Sequence, residues 1–161
     1  MKIGIANDHR GVEAKETISR FLEEKGYGVV NYGTNTKDAV DFPDYAYKLG
    51  KGILNNEIDL GIAICGTGVG MSIALNKMKG IYCAKVSKES EAILSKAHND
   101  ANVIAISEEL DKDLMLRIIE KFIDTPFSNV DRYVNRNNKI KDKSYSTMMA
   151  IFENNHYIFL D

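Results

Sequence analysis

The residues best placed to do chemistry lie between positions 60 and 72 of the 161-residue chain, where an apolar run ends in Cys65. A glycine-rich turn at residues 66–70 follows and leads into a helical pattern. A helix N-terminus favours negative charge, and glycines let a ligand's oxygen atoms approach the backbone. This environment also biases a thiol toward its thiolate form. The turn is therefore interpreted as an anion cradle beside a base, although a lone cysteine at a strand end is more often a small buried hydrophobe.

Two further loops carry ionisable side chains near predicted strands. Asp8 and His9 come directly after the first strand, and His98 comes just before the fifth. Because ligands of parallel sheets bind at the carboxyl ends of strands, we expect these loops to converge with Cys65 on one site. Each residue also has a structural interpretation. Asp8 could cap the following helix, His9 could be a solvated loop residue, and His98 could be a cation at a helix C-terminus.

Several common motifs are excluded by the residues around the glycines. Met71 stands where the dinucleotide-binding fingerprint needs its third glycine, and no Lys-Ser or Lys-Thr pair follows as a P-loop requires. The histidines and cysteines lack zinc spacing, and no Gly-x-Ser-x-Gly elbow occurs. A response-regulator domain is disfavoured because Cys65 stands after the third strand, where that class needs an aspartate.

Composition bounds the class of protein and its partners. A chain of 161 residues and 18.0 kDa predicts one domain with a sizeable core. A net charge of -2 gives no reason to expect nucleic acid as a partner, and no apolar run reaches transmembrane length. Two cysteines and a strand pattern at the N-terminus, without a signal peptide before it, predict a reducing compartment, the cytoplasm.

Apolar runs alternate with helical patterns along the chain. Strands are predicted at residues 2–7, 28–32, 60–65, 82–85 and 102–106. Helices are predicted at residues 12–25, 44–54, 69–76, 88–97 with Ser87 as the N-cap, 110–124, and near 130–142. This alternation predicts an α/β fold, a three-layer α/β/α sandwich around a five-stranded parallel, Rossmann-like sheet. Residues 1–143 form its one domain, and the apolar tail 144–161 is expected to pack on its own body or a partner subunit.

The candidate residues belong to a set of motifs that occur in a fixed order over about the first 140 positions. The motifs are Asp8-His9 with Gly11, Gly33-Thr34, Asp41-Phe42-Pro43-Asp44-Tyr45, residues 64–74, Asn76-Lys77, His98-Asn99-Asp100-Ala101-Asn102-Val103, and Arg132 with Arg136. This combination resembles the ribose-5-phosphate isomerase B and galactose-6-phosphate isomerase family of sugar-phosphate isomerases. The cysteine with its glycine turn and the segment that begins at His98 make the resemblance highly specific.

The resemblance implies an aldose–ketose isomerisation through an enediolate, without a metal or an organic cofactor. Cys65 would act as the base that moves a proton between two adjacent sugar carbons. Thr67 and the backbone N–H groups of residues 66–70 would hold the developing oxyanion. His98 would serve as acid and base in opening the sugar ring, with Asp8 assisting.

The resemblance also implies how a sugar phosphate is bound. His9, Arg132 and Arg136 would grip the phosphate, since arginine suits paired hydrogen bonds, and Asn99 would bind a sugar hydroxyl. The expected substrate-binding set is His9, Tyr45, Gly66, Gly68, Gly70, Ser72, Asn99, Arg132 and Arg136. Without the resemblance, the two arginines would be interpreted as a solvated helix face. The implied assembly is a homodimer, which could pair further into a tetramer, with the active site shared between two subunits.

Departures from the family pattern concentrate at the phosphate end. The family carries an arginine after the fifth strand, where this chain has Glu109, and an inward carboxylate there would repel a phosphate. The family's Gly-Gly-Arg-His is replaced by residues 129–133, which keep Arg132. Three hypotheses stay open: a ribose 5-phosphate isomerase, favoured by the pair His98-Asn99; an isomerase of a 6-phosphohexose such as galactose or allose 6-phosphate; and a relative that binds a phosphorylated sugar without turning it over.

Overall fold

A computed structural model describes residues 1–141 and shows five strands in one sheet. The strands are β1 (Lys2–Asn7), β2 (Gly28–Asn31), β3 (Leu60–Cys65), β4 (Cys83–Lys85) and β5 (Val103–Ser107). Their order across the sheet is β2-β1-β3-β5-β4, and every neighbouring pair is parallel. The predicted parallel sheet is therefore confirmed, with only small displacements of the strand ends.

Helices follow the strands in the predicted alternation. They are α1 (Val12–Glu24), α2 (Phe42–Leu54), α3 (Val69–Asn76), α4 (Glu89–Asn99), α5 (Lys112–Asp124) and α6 (Asp131–Ile140), and a 3-10 turn at His9–Gly11 precedes α1. The prediction that Ser87 caps α4 is wrong, because Lys88 occupies the N-cap position. The Ser87 N–H instead donates to the Glu91 carboxylate at 2.7 Å, so a side chain of the first turn reaches back past the cap.

The sheet is covered on both faces, which confirms the three-layer α/β/α architecture. On one face, Ile18 of α1 and Phe122 of α5 are fully buried against the isoleucines of β1, β3 and β5. On the other face, Leu49 of α2 and Met71 of α3 are fully buried. Strand β3 is buried along its whole length because it is the central strand of the sheet and helices cover both of its faces. The functional residues at its end therefore stand on a rigid support.

We call the side of the sheet at which its strands end the carboxyl edge, and the side at which they begin the amino edge. In the parallel register of β3 and β5, Cys65 lies beside Ser107 at the carboxyl edge, and Gly61 lies beside Val103 at the amino edge. Helix α4 starts after β4 and leads into β5, so its last turn lies at the amino edge. Helix direction thus decides which residues can meet.

Residues 142–161 lie outside the described part of the chain. The predicted packing of the apolar tail and the domain boundary near residue 143 therefore stay predictions. Among residues 1–141, no helix combines the length and apolar character that a membrane crossing needs.

Candidate active site

Cys65 ends β3, and its buried thiol contacts the glycine-rich turn. The Gly68 N–H donates to Cys65 Sγ at 3.1 Å, and the Val69 N–H donates to the Thr67 hydroxyl at 3.2 Å. The N–H of Gly70, in the first turn of α3, has no hydrogen-bond acceptor among the described residues. The structure thus joins a thiol to a helix N-terminus that keeps a donor free for an anion, as the sequence predicts.

Glycine is required at two positions of this turn. Gly68 has a φ of +78°, and a Cβ placed on it would stand 2.9 Å from the carbonyl carbon of Ile106. A Cβ on Gly70 would stand 2.9 Å from the ring of Phe42, at the start of α2. The absence of side chains lets the turn lie directly against β5 on one side and α2 on the other. The backbone donors are therefore held by contacts with rigid elements.

Asp8 and His9 follow β1 at the same carboxyl edge. The buried Asp8 carboxylate accepts the Arg10 N–H at 2.9 Å and caps the 3-10 turn, so its structural interpretation is confirmed. His9 is half-buried, and its Nδ1 accepts the Val40 N–H at 3.3 Å. In the neutral imidazole this bond places the ring proton on Nε2, which makes His9 Nε2 a donor for an anionic ligand.

The loop after β2 supports the turn that carries His9. The fully buried Asn7 donates from Nδ2 to the carbonyls of Asp8 at 2.8 Å and Thr34 at 3.1 Å. Lys15, almost completely buried in α1, donates to the Thr34 carbonyl at 2.5 Å and to Asn35 Oδ1 at 2.6 Å. Burial lowers the pKa of Lys15, although its ammonium group donates hydrogen bonds to these oxygen atoms. Asn7 thus joins the turn after β1 to the loop after β2, and Lys15 joins that loop to α1.

Arg10 borders the glycine turn and holds both carboxylates that follow β5. Its Nε and Nη2 lie 3.0 and 2.6 Å from Glu108 Oε1, and Nη2 lies 2.8 Å from Glu109 Oε1. The pKa of Arg10 is raised, first by the hydrogen bond with Glu108 and then by the one with Glu109. A Cβ on Gly66 would stand 3.0 Å from Arg10 Nη1, so the guanidinium lies against the turn. The predicted repulsion by Glu109 is thus offset in part, because Arg10 shares its one positive charge between two carboxylates.

Tyr45 and Ser72 lie on the helices that flank the turn, but their contacts differ. Tyr45 is half-buried in the first part of α2, with Lys48 Nζ 4.7 Å from its ring centroid. Ser72 accepts a bond from Asn76 Nδ2 at 3.4 Å and contacts Cys83, so its hydroxyl joins α3 to β4. Burial raises the pKa of Cys83 to about 12, while the hydrogen bond with Ser72 acts in the opposite direction. Cys83 is therefore a protonated structural thiol.

At the amino edge, α6 packs on the last turn of α4 through His98. The rings of His98 and Tyr133 stack, with centroids 4.1 Å apart and planes inclined by 18°. The buried Asn137 donates from Nδ2 to the His98 carbonyl at 2.8 Å. Asn99, the last residue of α4, is exposed beside this contact. The predicted ring-opening residue is thus held by a helix that follows it by some thirty positions.

Arg132 and Arg136 lie four positions apart on α6, and both are exposed. The Arg132 guanidinium lies over the Tyr133 ring, 4.6 Å from its centroid, and donates from Nη2 to the Tyr133 hydroxyl at 2.7 Å. The predicted helix is confirmed. Both arginines belong to the same surface as His98, because α6 is the element that contacts α4 there.

The expectation that His98 converges with Cys65 within one chain is wrong. Cys65 lies at the carboxyl edge beside Ser107, whereas His98 precedes Val103 at the amino edge. Gly61, which pairs with Val103, and Cys65 are four residues apart on β3, which is about 13 Å along the strand. The same separation applies to Asn99 and to the arginines of α6. A single chain therefore carries two groups of candidate residues, one at each edge of its sheet, and we call these two groups half-sites.

Four residues that sequence reasoning missed support these half-sites: Asn7, Arg10, Tyr133 and Asn137. Arg10 directly follows the singled-out pair Asp8-His9, so its position was a usable signal. Tyr133 directly follows Arg132, where the family pattern has a histidine, and an aromatic residue there could also have been singled out. Asn7 and Asn137 are recognisable only from their buried hydrogen bonds.

Comparisons with known proteins agree with the fold and with the motifs. Residues 3–140 match the model of the family described as Ribose/Galactose Isomerase. Ribose-5-phosphate isomerase B of Escherichia coli is 41% identical over 109 residues, which cover 68% of this chain and 73% of the relative.

Solved structures extend the match to most of the chain. Ribose-5-phosphate isomerase B of Clostridium thermocellum superposes with a TM-score of 0.85 at 37% identity, covering 95% of this chain and 99% of that one. The enzyme of Mycoplasma genitalium with bound ribulose-5-phosphate superposes with a TM-score of 0.82 at 39% identity, covering 86% and 93%. On this sequence and structural agreement, the chain belongs to the Ribose/Galactose Isomerase family.

Proposed function

We propose that the chain interconverts the aldose and ketose forms of a phosphorylated sugar, with ribose 5-phosphate and ribulose 5-phosphate as the first pair to test. Membership of the family makes it a sugar-phosphate isomerase, an intramolecular oxidoreductase. The observation that carries the proposal is the contact of Cys65 Sγ with the Gly68 N–H at 3.1 Å, which joins a base to an anion cradle. Such a pair is what proton abstraction next to a carbonyl requires.

In the proposed reaction, Cys65 thiolate removes the proton from C2 of the open-chain aldose. The electron pair left behind forms the C1–C2 double bond of an enediolate, and the negative charge moves to the carbonyl oxygen. The free N–H of Gly70 and the exposed Thr67 hydroxyl are the nearby donors for that oxygen. A proton then moves from the C2 hydroxyl to O1, which leaves the negative charge on O2. The Cys65 thiol returns its proton to C1 as the C2 carbonyl forms, which gives the ketose and restores the thiolate.

The phosphate end and the ring-opening step need residues from both edges of the sheet. His9 lies in the same half-site as Cys65, whereas His98, Arg132 and Arg136 lie in the other. We therefore expect a homodimer in which the amino edge of one copy meets the carboxyl edge of its partner.

The helix that follows the glycine turn has an apolar face that a second copy would cover. Val69 and Ile73 lie four positions apart on α3, with 48% and 60% of their surfaces exposed. Large aliphatic side chains exposed together beside a candidate site are typical of an interface. Their position next to Cys65 supports docking of the partner at the carboxyl edge.

Two alternatives to a ribose 5-phosphate isomerase follow from the same site. A 6-phosphohexose such as galactose or allose 6-phosphate is the alternative substrate, because the chemistry at C1 and C2 is the same. A non-catalytic relative that binds a phosphorylated sugar is the third hypothesis. The ion pair of Glu109 with Arg10 weakens the argument for it, because the cation offsets part of the negative charge of Glu108 and Glu109. A panel of pentose and hexose phosphates would separate the first two.

The decisive experiment compares Cys65→Ala with Cys83→Ala. We expect Cys65→Ala to lower ribose 5-phosphate turnover by about 100- to 10,000-fold, because the general base is removed. The Cys83→Ala control should keep its activity, since that thiol lies on β4 and its raised pKa keeps it protonated. Solvent deuterium entering C1 of ribulose 5-phosphate measures the proton transfer directly. Persistent exchange in a folded Cys65→Ala protein would refute the proposed base. Tight binding of the sugar phosphate without exchange in the unaltered protein would indicate the non-catalytic relative.

Complementation tests the shared site. A mixture of Cys65→Ala and His98→Ala proteins, unfolded and refolded together, forms heterodimers in which one of the two sites has both residues. Random pairing should therefore restore about a quarter of the wild-type activity. If both residues acted within one chain, every site in the mixture would lack one of them, and no activity would return.

A further inference from the structure

An aromatic stack holds the side chain of His98. Its imidazole lies on the Tyr133 ring with centroids 4.1 Å apart and planes inclined by 18°. Among residues 1–141, neither ring nitrogen of His98 makes a hydrogen bond. The backbone of His98 is fixed separately, by the bond from Asn137 Nδ2 to its carbonyl. The two contacts come from residues four apart on α6, so one helix face holds both the ring and the main chain.

We infer that Tyr133 is a positioning residue for His98 in the ring-opening step, an inference that rests on the proposed function. A hydrogen-bonded partner that oriented the imidazole would occupy one of its nitrogens. A stacked ring restrains the side-chain dihedral angles and leaves both nitrogens available for the sugar. A residue that must give one proton and accept another needs both of them.

Arg132 contacts the same tyrosine ring. Its guanidinium lies 4.6 Å from the Tyr133 centroid, and its Nη2 donates to the Tyr133 hydroxyl at 2.7 Å. Tyr133 therefore fixes the separation between the ring-opening group and a candidate phosphate ligand. The stack presents both groups to the partner as one rigid unit.

The support beneath the stack distinguishes it from a casual surface contact. Asn137 is buried, and Ser128, just before α6, donates from both its N–H and its hydroxyl to the Ala97 carbonyl at 3.0 and 2.7 Å. Helix α6 is thus hydrogen-bonded to two consecutive carbonyls at the end of α4. The position of Tyr133 over His98 is fixed by the backbone, so substitution of its side chain removes the stack without moving the helix.

Ribulose 5-phosphate gives a substrate that needs no ring opening. Its C5 oxygen is esterified, so no hydroxyl can close a furanose on the C2 carbonyl. Exchange of solvent deuterium into its C1 position therefore reports proton transfer alone. Conversion of ribose 5-phosphate, which is a ring in solution, reports ring opening as well.

The test compares Tyr133→Leu, Tyr133→Phe and Tyr47→Leu, the last an exposed residue of α2 that serves as the matched control. In Tyr133→Leu we expect kcat for ribose 5-phosphate to fall by about 10- to 100-fold, because part of the acid–base contribution of His98 is lost. Deuterium exchange into ribulose 5-phosphate should stay within about twofold of wild type, because Cys65 is unaltered. Tyr133→Phe keeps the stack and should keep kcat, with KM raised because Arg132 loses its hydrogen bond. Tyr47→Leu should match wild type.

Equal losses of turnover and exchange in Tyr133→Leu would indicate a merely structural role and would overturn the inference, as would unchanged turnover. Absence of exchange in the wild-type protein would instead refute the proposed function itself. If Tyr133→Leu does not fold, the wild-type protein still decides the matter by NMR. The ring of Tyr133 must shift the His98 ring protons upfield, and a His98 resonance at the position of a free histidine, identified by its loss in His98→Asn, would show that no stack exists.

Discussion

Substitution of Gly68 by alanine combines two separable penalties at the glycine turn. Gly68 has a φ of +78°, and a Cβ there would stand 2.9 Å from the carbonyl carbon of Ile106 and 3.1 Å from its N and O atoms. The left-handed conformation costs a non-glycine residue about 1–2 kcal/mol. Displacing strand backbone adds an overpacking cost of about 1–3 kcal/mol. We therefore expect Gly68→Ala to lower the free energy of unfolding by about 2–5 kcal/mol.

Gly26 provides a matched control, because it isolates the first penalty. Its φ is +83°, and a Cβ there would meet nothing within 4 Å. Gly26→Ala should consequently lower the free energy of unfolding by about 1–2 kcal/mol, the conformational cost alone. Urea denaturation of the two variants, followed by circular dichroism, measures the difference. That difference is the cost of the contact between the turn and β5.

The same substitution should affect catalysis through Cys65. A Cβ pressed against Ile106 forces the turn away from β5, which moves the Gly68 N–H from its position 3.1 Å from Cys65 Sγ. Loss of an anion-holding donor commonly lowers kcat by about 100- to 1000-fold, and we expect a loss in this range for Gly68→Ala. Gly26→Ala should be fully active in a coupled isomerase assay. Equal stability and activity of the two variants would refute the reasoning, because it would mean that the turn can accept a side chain.

Three further predictions concern residues around the half-sites. Arg10→Ala should raise KM for the sugar phosphate several-fold, because Glu108 and Glu109 lose their counter-charge and repel the phosphate. The increase in KM should be smaller at high salt, which screens this repulsion, and initial rates at two ionic strengths measure the difference. Cys83→Ser should titrate one thiol fewer than wild type in denaturant but the same number when native at pH 8, since burial raises the pKa of Cys83 to about 12. Lys15→Met should lower the free energy of unfolding by about 1–3 kcal/mol by removing the hydrogen bonds of a charged donor to the Thr34 carbonyl and to Asn35 Oδ1, as measured by thermal denaturation. Because the folded-state pKa of Lys15 is lowered, the folded state binds fewer protons than the unfolded state, so wild-type stability should gain on the variant as pH rises toward the ordinary lysine pKa.

The carboxyl-edge half-site could be predicted because its signals are local in the sequence. The strand that ends at Cys65 and the helix that begins after Gly68 are adjacent, and the glycine provides the positive φ that their connection needs. Asp8 likewise caps a turn that begins at the next residue. A contiguous pattern of apolar and glycine residues contains all of this information. Only the tertiary contacts of the turn with Ile106 and Phe42 had to be observed.

The position of the amino-edge half-site was predicted wrongly, because the prediction used the closeness of His98 to β5 in the sequence and ignored the direction in which that strand runs. A residue just before a parallel strand lies at the amino edge, and the helix that carries His98 returns the chain to that edge before β5. The topology of a parallel sheet therefore excludes convergence within one chain. What topology cannot supply is the stack with Tyr133, which depends on the path of residues 125–130 between α5 and α6.

The charge at the phosphate end shows why a single departure from a family pattern is weak evidence about function. Glu109 alone would repel a phosphate, but it shares Arg10 with Glu108 across 98 and 99 positions of sequence, a pairing that no local pattern predicts. Arg10 Nη1 makes no hydrogen bond among the described residues and lies against the glycine turn. An anion that approaches Gly66 would therefore meet a guanidinium already oriented by two carboxylates. The loop after β1 thus contributes a cation near the place where the family pattern has an arginine after β5, so the departure at Glu109 does not leave this edge of the sheet without positive charge.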